Sequence, residues 1–359
     1  MMKTYTQAQF FRQLDRHCRR NFIPRSGSFE LTPLCNLDCK MCYIHLNEPG
    51  LREKLLSGEQ WIGIMRQAVS RGMMNALVTG GEAMTHPDFK KIYLYLKSQG
   101  VMVTVKTNGL LLNDENIRFF ADARPSVLDI SLYGCDRESY IAVTGHDVFE
   151  QVDRNIRAAA AAGLPVRLMI VPSSYMSPWT DRVLEWAKGY GVPVKLNGLL
   201  MEPRENTHRK KADFDLTNDE IIRLQNRKNE LFPEDTPVMQ EIEEETEPSV
   251  VPDSGLKCSA GRSSFAVHWT GILVPCLEYP EELFHADVLA EGFDAAWEKA
   301  GQEARDLKAP EQCGTCEYRQ ECNYCPMKHY PASLHNACLP SVCEYMKYLI
   351  DSEKAKSGK

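Results

Sequence analysis

Cys35, Cys39 and Cys42 lie in one short run, Cys-Asn-Leu-Asp-Cys-Lys-Met-Cys-Tyr, with the spacing C-x3-C-x2-C. Three thiolates on so short a loop can ligate three irons of a cubane cluster and leave the fourth iron open to an outside ligand. A zinc site is the competing chemistry. It would need a fourth ligand close by, and His45 could supply one. A second group comprises Cys258, Cys276, Cys313, Cys316, Cys322, Cys325, Cys338 and Cys343. It contains a G-x4-C element ending at Cys276 and the array C-x2-C-x5-C-x2-C from Cys313 to Cys325. Zinc ribbons also use C-x2-C pairs, so these residues could hold zinc ions or iron–sulfur clusters. The chain has 13 cysteines. Their odd number and tight grouping favour metal ligation over disulfides. Cys18 and Cys135 stand outside both groups and are expected to pack as small apolar residues, although Cys135 could face a pocket.

Elements that would position the first group can be read around it. Apolar runs at 28–33, 75–80, 101–107, 127–132, 166–171 and 192–197 alternate with helix-like segments at 58–71, 87–98, 114–122, 147–162 and 179–190. Ser57 and the His86-Pro87 pair signal helix starts, and Gly100, Gly163 and Gly191 signal helix ends. Six strands with intervening helices predict parallel βαβ units, arranged as a β/α barrel (partial or full) or an open doubly wound sheet. Either architecture puts its site at the carboxyl ends of the strands, where Cys35 follows the first run. A further helix is expected near 217–230. The acidic stretch 241–249 reads as a solvated linker. From Cys258 onward secondary-structure signals are weak, as in a small domain folded around metal.

Composition narrows the function classes. The net charge of −7 and 43% hydrophobic content fit an ordinary globular protein without a nucleic-acid footprint. No apolar run approaches the roughly 20 residues needed to span a bilayer, and the first 20 residues lack a signal-peptide core. A cytoplasmic protein with no membrane partner is expected.

The C-x3-C-x2-C motif with Tyr43 after its last cysteine, on the loop after the first strand, resembles the signature of the radical S-adenosylmethionine (SAM) superfamily. Thr79-Gly80-Gly81-Glu82 is similar to that family's GGE motif, whose backbone and carboxylate contact the SAM amino group; glycines suit so close an approach. Thr107-Asn108-Gly109 ends the third strand as family members do. Ser131 and Arg154 sit where family residues contact the SAM ribose or carboxylate. The resemblance covers roughly residues 28–200. It implies a partial (β/α)6 barrel in which Cys35, Cys39 and Cys42 hold a [4Fe–4S] cluster, with Tyr43, Gly80, Gly81, Glu82, Asn108, Ser131 and Arg154 binding cofactor. SAM on the open iron would accept an electron and yield methionine and a 5′-deoxyadenosyl radical.

The second group is similar to the SPASM extension of the superfamily, which implies two auxiliary [4Fe–4S] clusters and three clusters in all. By that resemblance Cys313, Cys316, Cys322 and Cys343 hold the distal cluster, and Cys258, Cys276 and Cys325 the nearer one. Two residues separate Cys322 from Cys325 where the family usually has three. The fourth ligand of the nearer cluster is either Cys338 or an open position. The implied organisation is an N-terminal extension (1–27), a core barrel (28–215), a linker (216–255) and a SPASM domain (256–359).

SPASM members act mostly on peptides and proteins, so a ribosomally made peptide is the expected substrate, with a flavodoxin or ferredoxin as one-electron donor. The alternatives are sulfatase-type formylglycine maturation, or dehydrogenation or epimerisation of a small molecule. In the sulfatase group an Asp closely follows the second SPASM cysteine. Here Leu277 and Glu278 follow Cys276, and Glu278 is the candidate base. Only 34 residues precede Cys35, too few for a leader-binding domain, so a leader would bind the core, a partner protein or nothing. A zinc-stabilised binding module is the non-enzymatic alternative.

Overall fold

The computed structural model describes residues 6–44, 46, 50–198, 200–201, 203, 214–233, 257–281, 283–319, 321–322, 325–327 and 340–357. Helix α1 (Gln7–Arg20) leads into strand β1 (Ser26–Glu30). There follow α2 (Gly58–Ser70), β2 (Asn75–Thr79), α3 (Phe89–Ser98), β3 (Met102–Thr107), α4 (Asp114–Asp122) and β4 (Val127–Ser131). Next come α5 (Arg137–Thr144), α6 (Phe149–Ala161), β5 (Val166–Ile170), α7 (Thr180–Lys188), β6 (Val194–Leu196) and α8 (Asn218–Leu231). The C-terminal part contributes β7 (Ser264–Val267), β8 (Ile272–Val274), β9 (Ala286–Asp287), α9 (Val288–Glu291), α10 (Phe293–Asp306) and α11 (Pro340–Ser357).

All strands belong to one sheet in the order β6-β5-β4-β3-β2-β1-β7-β8-β9. Strands β1 to β6 are parallel neighbours in chain order. The fold is α/β, an open, partial barrel of TIM type. One sheet face carries Phe29, Val78, Val105, Ile130 and Leu168, all wholly buried in the main apolar core with the helices. The alternate residues line the opposite, inner face. Helix starts follow local chemistry: Ser57 caps α2 and Gln60 reaches back to complete a capping box. Gly100, Gly163 and Gly191 all have positive φ at the helix–strand turns.

The helices expected at 114–122 and 217–230 appear at Asp114–Asp122 and Asn218–Leu231. The first apolar run forms strand only over Ser26–Glu30, because residues 31–34 leave to start the cysteine loop. The first part of the expected linker is ordered. Helix α8 buries Ile221 and Leu224 and pairs Arg223 with Asp181 and Arg227 with Glu185 on α7. The segment after Cys258 is also richer in regular structure than its sequence suggested. Strand β7 hydrogen-bonds to β1 in parallel, and Phe265 meets Phe29 edge-on at 5.8 Å. The acidic stretch 241–249, His45 and Cys338 lie outside the described residues. Among the described residues, no helix is long and apolar enough to cross a membrane.

Candidate active site at the cysteine loop

The loop after β1 is held by backbone pairing that outlasts the strands. Leu31 N–H donates to Thr79 O at 3.0 Å, Gly81 N–H to Thr32 O at 2.8 Å and Glu82 N–H to Leu34 O at 2.9 Å. Residues 31–34 therefore lie against 79–82 and deliver Cys35 to the carboxyl end of the sheet. Further along, Asp38 and Lys40 N–H donate to Thr144 and Val143 O at the end of α5, and Cys42 N–H closes a turn onto Cys39 O at 3.1 Å. Leu37, Met41 and Ile44 are buried, so the apolar residues anchor the loop from within.

Packing of the protein's own backbone requires glycine at the Thr79–Glu82 turn. A Cβ on Gly80 would lie 2.4 Å from Thr32 O, and one on Gly81 would lie 2.4 Å from Leu34 O and 2.5 Å from Pro33 O. The cysteine loop's own backbone fills the space.

The three thiols share surroundings. Burial pushes the Cys35 thiol up to about 12, and the Leu37 N–H and the Asn108 amide, 3.5 and 3.8 Å from its sulfur, oppose that rise. Asn108 also donates to Asn36 Oδ1 at 2.7 Å. Tyr133, just beyond β4, has its phenol within electrostatic reach of Cys39, Cys42 and Cys35, with the Ser131 side chain beside it. Burial raises that phenol well above its ordinary range. Tyr133 was not singled out in the sequence, although two residues beyond Ser131 a strand's alternation returns to the same face. This setting fits a cluster: three thiols on one loop, with N–H donors aimed at sulfur, which stabilise ligated thiolate. Among the described residues no three His, Cys, Asp or Glu converge to hold a single metal ion. Cubane ligation differs, since each thiolate takes its own iron.

Glu82 is wholly buried. Its carboxylate accepts from Asn108 N–H at 2.8 Å, Thr107 Oγ1 at 3.0 Å and Met84 N–H at 3.2 Å, so it organises the turn that aims Asn108. Burial, only partly offset by these donors, pushes its carboxyl up to about 7. Below the unfolded value near 4.5 both states are protonated. Between 4.5 and 7 the unfolded chain ionises first, so this group's stabilisation is lost as pH rises, by on the order of 3 kcal/mol. In cluster-free protein, Glu82→Gln is expected to flatten the fall in Tm between pH 5 and pH 7.5, read by calorimetry against wild type. An unchanged slope would exclude this role.

Other expected residues stand apart. Tyr43 directs its phenol to Glu30, donating at 2.8 Å to Oε1. Arg154 is exposed on α6, and its neighbour Asn155 turns inward to donate to Gly109 O at 2.9 Å. Cys18 and Cys135 are buried.

A second thiol cluster lies near β8. Cys258, Cys276 and Cys325 line one pocket with Arg262, Tyr279 and Met327. Burial, followed by the nearby Cys258 and Cys325 thiols and Glu278, drives the Cys276 thiol well above its usual value, while the Glu278 backbone N–H opposes this. Cys313, Cys316 and Cys322 follow on a short helical turn and loop. Tyr318 ties that loop to α11, which carries Cys343, by donating to Asp351 Oδ2 at 3.0 Å.

Residues 29–187 match the radical SAM superfamily. Sporulation killing factor maturation protein SkfB of Bacillus subtilis (strain 168) is 27% identical over 207 residues, 58% of this chain and 50% of SkfB. The chain thus spans about half the length of that relative. AdoMet-dependent heme synthase of Methanosarcina barkeri (strain Fusaro / DSM 804) is 25% identical over 330 residues, 86% of this chain and 93% of the synthase. The solved structure of anSMEcpe with bound AdoMet and Kp18Cys peptide superposes with a TM-score of 0.69 at 15% identity, covering 93% of this chain and 99% of that one. At that identity the likeness is one of fold.

Proposed function

We propose that this chain, whose residues 29–187 match the radical SAM superfamily, uses a [4Fe–4S] cluster and SAM to take a hydrogen atom from a ribosomally made peptide. The observation that carries the proposal is the anchored loop presenting Cys35, Cys39 and Cys42 within electrostatic reach of Tyr133 and with Asn108 beside Cys35. When bound, the reduced cluster supplies one electron to the sulfonium of SAM, releasing methionine and a 5′-deoxyadenosyl radical. The chain's own residues do the rest. Leu37 N–H and the Asn108 amide donate to the Cys35 sulfur, Glu82 fixes the Asn108 turn, and Tyr133 sets a phenol within electrostatic reach of the three thiols. Ser131 and Gly80 to Glu82 form the wall offered to SAM. Cys258, Cys276 and Cys325 would hold a nearer auxiliary cluster, with Cys338 as fourth ligand or an open iron. Cys313, Cys316, Cys322 and Cys343 would hold a distal one, fed by a flavodoxin or ferredoxin.

A peptide substrate is supported by SkfB, named for maturation of a killing factor, and by the peptide bound in the anSMEcpe structure. A small molecule is the second reading, favoured by the match to heme synthase along nearly its whole length. The experiment is anaerobic purification followed by reduction with SAM present. A brown protein with about twelve irons that releases 5′-deoxyadenosine is expected. A colourless, zinc-loaded protein that releases none would end the proposal.

A further inference from the structure

The inner face of the barrel carries a layer of charge one pleat below the cysteine loop. Strand register sets Glu30 beside Thr79, Lys106 beside Asp129 and Asp129 beside Arg167. His268 joins the row beyond Glu30, 3.8 Å away. Most of this layer is internally satisfied. Arg167 grips Asp129 through two hydrogen bonds of 2.6 and 2.8 Å, and Glu30 accepts from Tyr43. Lys106 is the exception. Among the described residues its ammonium makes no hydrogen bond and no ion pair within 4 Å. The one carboxylate next to it is already held by Arg167.

Its surroundings make the imbalance worse. Lys106 is desolvated, and Arg167 and Lys195 both act on it with like charge, so its ammonium is pushed below the usual lysine range despite Asp129. Three cations on β3, β5 and β6 thus face one carboxylate on β4. A partly buried cation without its counter-charge costs stability, and a bound anion would relieve that cost. Asn108 lies two residues further along the strand, about 7 Å away, with its amide 3.8 Å from the Cys35 sulfur. An anion on Lys106 would therefore be seated one pleat below the cysteine loop.

We propose that Lys106, supported by Lys195, binds a carboxylate of the substrate on the floor of the barrel. This deepens the functional reading above and rests on it for what happens to the bound molecule, though not for the binding itself. The test uses the full-length, cluster-loaded protein under anaerobic conditions. Trace acetylation of Lys106 is measured by peptide mass mapping relative to exposed Lys188, with N-acetylglutamate amide, its glutamine counterpart, glutarate or SAM as the added probe. At least tenfold protection by N-acetylglutamate amide or glutarate, and none by the glutamine compound or SAM, is expected. Protection by N-acetylglutamate amide would mark an acidic side chain, and protection by glutarate alone a small acid. Equal protection by the amide-side-chain probe, protection by SAM alone, or no protection would each overturn the proposal. Affinity for the protecting acid should fall about tenfold in Lys106→Gln and be retained in Lys106→Arg. Release of 5′-deoxyadenosine, followed in the same preparation, reports separately on the radical chemistry.

Discussion

A variant with Cys35, Cys39 and Cys42 all replaced by alanine is expected to release no 5′-deoxyadenosine on reduction with SAM, while keeping about eight of about twelve irons. The effect is all-or-none because the loop is the sole source of thiols at the carboxyl end of β1 among the described residues. The auxiliary thiols should survive the change. Cys258, Cys276 and Cys325 share a pocket of their own, and the loop's anchors (Leu37, Met41 and Ile44) are untouched. Iron analysis, electron paramagnetic resonance and chromatography of the nucleoside products decide the matter together. Continued turnover would overturn the assignment of this loop as the reaction centre.

Gly81→Ala is expected to be nearly as damaging through a different route. The added methyl would sit 2.4 Å from Leu34 O and 2.5 Å from Pro33 O. Both are backbone atoms, so no side-chain rotation relieves the overlap. Either the turn loses the Gly81 and Glu82 N–H bonds to Thr32 and Leu34, or the cysteine loop moves outward. A cost on the order of 3–5 kcal/mol follows, within the range for forced strain in a packed backbone. Iron at the first site should be lost while that at the auxiliary sites stays. Denaturant unfolding and iron content measure the two effects. Wild-type stability with full iron would show that the turn can yield.

The barrel was legible because its signals are local. Short apolar runs wrote β2 to β5, and Ser57 and Asn113 each cap the helix they precede. The chemistry of the cysteine loop was legible for the same reason, since its three thiols fall within eight residues. What escaped notice depends on partners far along the chain. Glu30 reads as one polar position in an apolar run, and only the arrival of Tyr43 and His268 makes a buried carboxylate tolerable there. Lys106 likewise needs the register of three strands before its isolation can be seen. Helix α10 was a different kind of miss. Phe293, Ala296, Trp297, Ala300 and Ala304 form a regular apolar stripe, which the cysteines around it overshadowed. Arg154 could also have been judged from helix phase, since Val152, Asn155, Ile156 and Ala159 define the inward side of α6.

The seam between β1 and β7 bears on how this protein could be shortened. A fragment ending before residue 257 would strip one flank from the strand that launches Cys35, baring a row of N–H and C=O groups and the aromatic face of Phe29. Such open edges invite self-association. The barrel and its cysteine-rich extension are therefore one manufacturing unit: the extension completes the wall against which the first three thiols are set.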